Sequence, residues 1–126
     1  KNDEINLVQP GGNYGWPEQE CSGSEQFIDP INCYDPAIEP GGIVFYYGDK
    51  INLENSLVLA SLRASHLFNL EIDDEEAKSQ TSILSGMGRI RDVAVGPDGY
   101  LYLITSNTDG KGFPDASDDK LLRIVK

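Results

Sequence analysis

Residues 88–106 contain two short apolar stretches on either side of a tight turn, and no other feature constrains the fold as strongly. The turn sequence is Gly96-Pro97-Asp98-Gly99. Proline fixes φ, aspartate bonds to nearby backbone, and glycine accepts a positive φ. The flanking stretches alternate between buried-type and polar residues, so the segment predicts two antiparallel strands joined by a turn.

Similar short segments recur along the chain, separated by turns rich in glycine, proline, asparagine and aspartate. Residues 74–79 are compatible with one turn of helix, which is too short and too charged to form a core element. Short strands with regular turns are typical of sandwiches, barrels and propellers. We predict strands at residues 4–8, 42–46, 56–61, 66–72, 79–84, 90–95, 100–105 and 120–125.

A weak internal repeat favours the propeller. The segments 55–61 and 66–72 resemble the segments 99–105 and 120–125, at a spacing of about 45 residues. That spacing is the length of a four-stranded blade. The chain therefore holds about two blades and part of a third, which is too few to close a ring.

Composition excludes some partners. The chain has 126 residues, a net charge of −11 and a pI near 4.3, which argue against nucleic acid and anionic membranes. It contains no apolar run long enough to span a membrane. Acidic residues concentrate at residues 73–76 and 115–119, which we interpret as solvated loops.

Cys21 and Cys33 flank a segment rich in serine, glycine, proline and aspartate. They can close a disulfide, which would indicate an extracytoplasmic protein, or remain free thiols. Two cysteines and a single histidine make a zinc site a poor alternative.

Arg89 and Arg91 stand two residues apart on a predicted strand. A period of two places both guanidinium groups on one face of the sheet, with Asp92 on the other. Two cations on one face repel each other unless an anion lies over them. Solvent or a salt bridge can meet this need, but a planar ligand rich in carboxylates suits two arginines better.

Four segments resemble, in the same order, characteristic segments of the soluble quinoprotein glucose/sorbosone dehydrogenase family. They are residues 3–17, 39–49, 57–63 and 88–106, the last with an Arg-x-Arg-Asp-Val…Pro-Asp-Gly signature. Members of this family are aldose sugar dehydrogenases that use pyrroloquinoline quinone (PQQ). Together the matches cover nearly the whole chain.

The resemblance implies an all-β fold, with about two to two and a half blades of a six-bladed β-propeller. The chain would be the C-terminal part of that single domain. Residues 1–40 would form a partial blade and a long loop, residues 41–86 a blade, and residues 87–126 the closing blade without its outer strand.

The resemblance also implies site residues. Arg89 and Arg91 match the arginine pair that holds the quinone carboxylates, and Arg63 matches a Lys/Arg position reaching the cofactor from the neighbouring blade. Glu4 and Tyr14 match a structural calcium site, through the Glu4 carboxylate and the Tyr14 carbonyl. The residues alone allow a simple cap or turn contact there instead.

Three aromatic positions complete the expectations. Tyr34 lies near the family's sugar-binding rim. Trp16 is expected in the core. His66, the sole histidine, is expected to be a packed or surface residue and not a catalytic base.

The chain also departs from the family. No residue matches the family's catalytic histidine on an early blade, or the Gly-Pro carbonyls that hold the catalytic calcium. We therefore expect the isolated chain to be inactive, because proton removal must accompany hydride transfer from the sugar. The sugar substrate and an electron acceptor would belong to the full protein.

Two other functions stay open: a non-catalytic propeller relative acting as a binding or scaffold module, and an unrelated β domain whose resemblance is fortuitous. The Arg-x-Arg pair favours the enzyme. Blades without neighbours would expose apolar faces, including Ile90, Val93 and Leu101 or their sheet-mates. We therefore also expect self-association into a homo-oligomer.

Overall fold

The computed structural model describes residues 2–53 and 56–125, and regular secondary structure within them is entirely β. Residue 55, the start of one repeated segment, lies outside the described residues. The nine strands are β1 (Asp3–Ile5), β2 (Asn32–Tyr34), β3 (Pro40–Tyr46), β4 (Ser56–Ser61), β5 (His66–Asp73), β6 (Glu76–Ser85), β7 (Ile90–Val95), β8 (Leu101–Thr105) and β9 (Leu121–Arg123).

The strands form three antiparallel sheets whose order follows the sequence. β1 and β2 pair alone, β3 to β6 form a four-stranded meander, and β7 to β9 form a three-stranded meander. The all-β prediction and the order of successive blade-like sheets are confirmed. The division at residues 40/41 and 86/87 stays a prediction.

Two apolar layers hold the sheets together, because successive side chains of β4 point to opposite faces. Val58 and Ala60 face the third sheet, where they belong to one buried cluster with Val93 and Leu103. Leu59 faces the first sheet and belongs to a second buried cluster. β4, one of the two interior strands of the middle sheet, therefore packs against both neighbouring sheets.

One strand was missed and one local prediction is wrong. β2 was not predicted, and its three residues pair with β1. Residues 74–79 are not helical: Asp74 and Glu75 form a two-residue turn with φ of 48° and 63°, and β6 begins at Glu76. Positive φ at both central positions is the geometry of a tight hairpin turn.

The expectation that Trp16 lies in the core is also wrong, because Trp16 is 77% exposed. It follows Gly15, which has a φ of 90°, in a long segment between β1 and β2 that contains no strand. Cys21, in the same segment, and Cys33, on β2, form a disulfide, with Cα atoms 5.6 Å apart.

Because one face of the third sheet packs on the second sheet, substitutions on the two faces of β8 should differ in their effect on stability. Leu103 is 1% exposed, while the adjacent Ile104 is 42% exposed on the opposite face. We expect Leu103→Ala to lower the free energy of unfolding by about 3 kcal/mol, the cost of a buried cavity. Ile104→Ala, the matched control, should cost under about 1 kcal/mol. Urea denaturation of both variants measures this, and equal losses would refute the assignment of faces.

Candidate functional site

Arg89 lies immediately before β7, and its side chain is only 10% exposed. Its Nε donates to Asp109 Oδ2 at 2.9 Å, and its Nη2 donates to Glu39 Oε2 at 3.1 Å. Glu39 directly precedes the second sheet, whereas Asp109 lies in the loop between β8 and β9. The guanidinium therefore joins two segments that are distant in sequence.

Arg91 reaches the same carboxylate from the more exposed side. Its Nη2 lies 3.4 Å from Asp109 Oδ2 and donates to Ser106 Oγ at 3.1 Å. The side chain is 47% exposed. Both arginines thus converge on one carboxylate oxygen. Arg89 precedes β7 and the β7–β8 register shifts between Ile90 and Asp92, so regular strand alternation alone does not account for this convergence.

The anion expected over the arginines is supplied in part by the chain itself. The hydrogen bond from Arg89 lowers the pKa of Glu39. The backbone N–H of Lys111, together with Arg89, lowers the pKa of Asp109. Burial alone would lower the pKa of Arg89, but the bonds to Asp109 and Glu39 raise it. All three groups are therefore ionised at neutral pH.

Arg63 approaches the cluster from the end of β4. Its backbone is held in place, because its N–H donates to Ile38 O at 3.0 Å and the neighbouring Leu62 N–H donates to Glu39 O at 3.0 Å. The side chain is exposed. Arg63 and Arg89 line one cavity of about 280 Å³, together with Lys111 and others.

Cationic side chains line the cavity and its rim. Arg63, Arg89, Arg91 and Lys111 face the carboxylates of Glu39 and Asp109, with Lys111 Nζ 3.8 Å from Glu39 Oε1. Among these side chains the cations outnumber the carboxylates four to two, while Asp3 and Asp118 lie next to this set and accept from Glu39 N and Asn107 Nδ2. A set of cations like this binds anions, and arginines bind planar carboxylates in particular.

The loop between β8 and β9 is fixed to the arginine strand by Asn107, which is 4% exposed. Its Oδ1 accepts from Arg89 N at 2.8 Å, and its Nδ2 donates to Met87 O at 2.9 Å. Gly88, between them, has a φ of 75°, and a Cβ there would overlap the Asn107 side chain. Glycine is therefore required at this position.

The predicted calcium residues are not among those that line the arginine cavity. Glu4 Oε1 accepts from Cys21 N, and Oε2 accepts from Asn6 Nδ2 at 3.3 Å. The Tyr14 hydroxyl donates to Leu7 O at 2.6 Å. Across residues 2–53 and 56–125, no group of three His, Cys, Asp or Glu side chains is placed to hold a metal.

Tyr34 is not among the residues that line the arginine cavity either. It is 8% exposed on β2, and its hydroxyl donates to Gln80 Oε1 at 2.8 Å. Burial raises the pKa of this phenol. His66 Nδ1 lies 2.8 Å from Ser82 Oγ, and its ring stacks on Phe68. A sugar contact by Tyr34 stays a prediction.

Sequence reasoning missed four residues of this site: Glu39, Asp109, Lys111 and Phe113. Asp109 precedes Gly110, so the pair is indistinguishable from an ordinary turn. Glu39 has a φ of 52°, uncommon outside glycine, which the sequence does not signal. The pairing of both carboxylates with Arg89 is visible only in three dimensions.

The fold is that of part of a β-propeller, with a cavity lined by Arg63, Arg89 and Lys111. A model of the glucose/sorbosone dehydrogenase family matches residues 1–123, and the chain belongs to that family. The fortuitous-resemblance alternative is therefore wrong. No helix within residues 2–53 and 56–125 is long and apolar enough to cross a membrane.

Particular relatives support this assignment. Aldose sugar dehydrogenase YliI of Escherichia coli is 30% identical over 86% of the chain and 34% of its own length. A putative oxidoreductase (glucose dehydrogenase) of Thermus thermophilus is 39% identical, with a TM-score of 0.86 over 97% of the chain and 37% of its own.

The PQQ-bound aldose sugar dehydrogenase of Streptomyces coelicolor is 36% identical, with a TM-score of 0.82 over 97% of the chain and 36% of its own. The chain thus spans about a third of the length of these relatives. The prediction of a partial propeller of this family is confirmed.

The carboxylate cluster predicts acid sensitivity. Because the pKa values of Asp109 and Glu39 are lowered, their stabilisation is complete above the unfolded-state values of about 3.9 and 4.3 and is lost as the pH falls through the lower folded values. We expect the free energy of unfolding to fall below about pH 4.

The slope of the free energy of unfolding against pH shows whether Asp109 and Glu39 cause this loss of stability. It should be shallower in Asp109→Asn, because the variant lacks one group that must be protonated. Asp49→Asn, at a side chain that is 89% exposed, should leave the slope unchanged. Urea denaturation between about pH 2 and 6 measures it, and equal slopes in the wild type and Asp109→Asn would contradict the expectation.

Proposed function

We propose that the chain is the C-terminal part of a PQQ-dependent aldose sugar dehydrogenase and supplies arginines to its quinone site. The observation that carries this proposal is the convergence of Arg63, Arg89 and Arg91 on one cationic region. The PQQ-bound state of the Streptomyces coelicolor relative supports it.

Each arginine has a distinct part in this proposal. The exposed Arg63 and Arg91 donate to carboxylates of the quinone, since PQQ is a planar tricarboxylate. Arg89 is committed to Glu39 and Asp109, so it contributes positive charge and positions the loop that carries Asp109. When bound, PQQ supplies a two-electron acceptor for the sugar.

The isolated chain does not complete the reaction in this proposal. Oxidation of the sugar requires a base for the proton of the C1 hydroxyl. His66, the only histidine of the chain, is bonded to Ser82 and is not among the residues lining the arginine cavity. The base, the sugar contacts other than Tyr34, and the contact with the electron acceptor belong to the full protein.

Calcium enters only through the family resemblance. The chain offers one carboxylate, Glu4, whose oxygens already accept from Cys21 and Asn6, and the carbonyl of Tyr14. Calcium takes six to eight oxygen ligands. These residues do not form a complete site by themselves, so no step is assigned to the ion, and remaining ligands would come from elsewhere.

The disulfide supports an extracytoplasmic location, periplasmic or secreted. Cys21 and Cys33 are joined in the structure, and such bonds persist mainly in oxidising compartments. A sugar oxidised outside the cytoplasm is consistent with this location.

One observation favours the second candidate function, a non-catalytic propeller module. Glu39 and Asp109 already accept from Nη2 and Nε of Arg89, so the charge of this arginine is compensated without a ligand. In that case the cluster would serve only to join two sheets. Titration with PQQ separates the two functions.

We expect the full-length protein to bind PQQ, and Arg91→Gln to weaken binding about 10- to 100-fold, since a charge-assisted hydrogen bond contributes about 1.5–3 kcal/mol. Arg123→Gln is the matched control. Arg123 is 49% exposed against 47% for Arg91, and it pairs with Asp98. Calorimetric titration with PQQ measures both affinities.

The outcomes of the titration differ between the two functions. Equal affinities in Arg91→Gln and Arg123→Gln would remove Arg91 from the site, and absence of PQQ binding by the wild type would favour the scaffold. In a control arm, the isolated chain with added PQQ and calcium should give no sugar-dependent dye reduction.

We further propose that the isolated chain self-associates through the outer face of its third sheet. Ile90, Val93 and Leu101 are buried, so the exposed apolar residues are their sheet-mates. Ile104 and Leu121 are adjacent in the β8–β9 pairing and are 42% and 70% exposed. With Ala94 they line a shallow cavity of about 110 Å³ on that face.

Light scattering tests this association. We expect a species larger than the 13.8 kDa monomer and a shift toward monomer in Leu121→Asp, because a carboxylate cannot be buried unpaired. Val125→Asp, at a residue that is 55% exposed and does not line this cavity, is the control. A wild type that stays monomeric at millimolar concentration would overturn the proposal.

A further inference from the structure

Phe113 is the most exposed large hydrophobic residue among those the structure describes, at 99%. It lies in the loop between β8 and β9 and lines the same cavity as Arg63, Arg89 and Lys111. A phenyl ring fully in water forgoes the stabilisation that burial provides. Its position at a cationic cavity therefore requires an explanation.

Phe113 is exposed although contacts hold the loop on both sides of it. On its N-terminal side, Asp109 Oδ1 accepts from Lys111 N at 2.9 Å. Gly112 packs so closely on the backbone of Asn107 that a Cβ would overlap it. On the C-terminal side, Lys120 Nζ lies 2.8 Å from Asp115 Oδ2. The loop is fixed on both sides of the ring.

The anchored loop places two kinds of group beside Arg63. Lys111, two residues before the ring, is 68% exposed in its side chain and pairs only loosely with Glu39, at 3.8 Å. The cavity wall therefore combines cationic donors with an aromatic surface. This combination matches a ligand that is both planar and anionic, since aromatic faces stack and cations bind carboxylates.

We propose that Phe113 is a stacking residue for the planar ring system of an aromatic polycarboxylate held by Arg63 and Lys111. The inference rests on the proposed function, in which PQQ is that ligand. Lys111 adds a further cation to the arginines that the sequence indicates, and Phe113 shields one face of the bound ring from water.

The experiment compares PQQ binding and the absorption spectrum of bound PQQ in variants of the full-length protein. Phe113→Ala should weaken binding about tenfold and remove the shift of the absorption band that stacking causes. Phe113→Trp should restore both. Lys111→Gln should weaken binding but keep the band shift, because it removes a charge and leaves the ring in place.

Tyr47→Ala is the matched control, because Tyr47 is an aromatic residue that is 84% exposed and does not line this cavity. It should leave affinity and spectrum unchanged. If the wild type binds PQQ and Phe113→Ala binds it equally well, the stacking role is overturned and the proposed function stands. If the wild type binds no PQQ, both fall.

The alternative is that a second copy of the chain covers the Phe113 ring. If Phe113→Ala reduces self-association in light scattering and leaves PQQ affinity unchanged, the ring belongs to an interface and the stacking role is wrong. Circular dichroism of each variant verifies that the fold is retained, which an exposed position such as 113 favours.

Discussion

The burial of Arg89 is the constraint on which the rest of the site depends. A guanidinium removed from water is costly unless carboxylates and hydrogen bonds compensate it, and here Glu39 and Asp109 do so. Because Glu39 borders the second sheet, the pairing fixes one end of the third sheet against its neighbour. At the other end, the Tyr46 hydroxyl donates to Gly99 O at 2.9 Å. The apolar core lies between these two bonds.

Strands were predictable where alternation and turn chemistry agree, as around Gly96-Pro97-Asp98-Gly99. Strands were not predictable where they form only because a partner distant in sequence supplies their hydrogen bonds. β2 has no apolar alternation and forms because β1 supplies its hydrogen bonds. The turn at Asp74 and Glu75 lacks the Asn-Gly or Asp-Gly sequence that usually marks this geometry.

In the candidate site, too, the sequence predicts contacts between residues close in sequence but not contacts between distant ones. Strand alternation predicts a shared face for Arg89 and Arg91, and both approach Asp109, but Arg89 precedes β7 and the register shifts beside Arg91. The carboxylates that neutralise them are separated from Arg89 by 50 and 20 residues, and no local pattern indicates the pairing. The prediction that Trp16 is buried failed because a large apolar residue is buried only where a sheet covers it, and Trp16 lies in a segment without strands.

The internal carboxylates determine which anions the cavity can favour. Glu39 and Asp109 offset half of the positive charge, so a single small anion gains only a modest attraction in the presence of salt. The remaining donors on Arg63, Arg91 and Lys111 lie on separate elements. A rigid ligand with several carboxylates binds more than one of them at once, and each further contact then costs little additional entropy. Under the proposed function, partial neutralisation would thus favour a rigid polycarboxylate over the abundant simple anions.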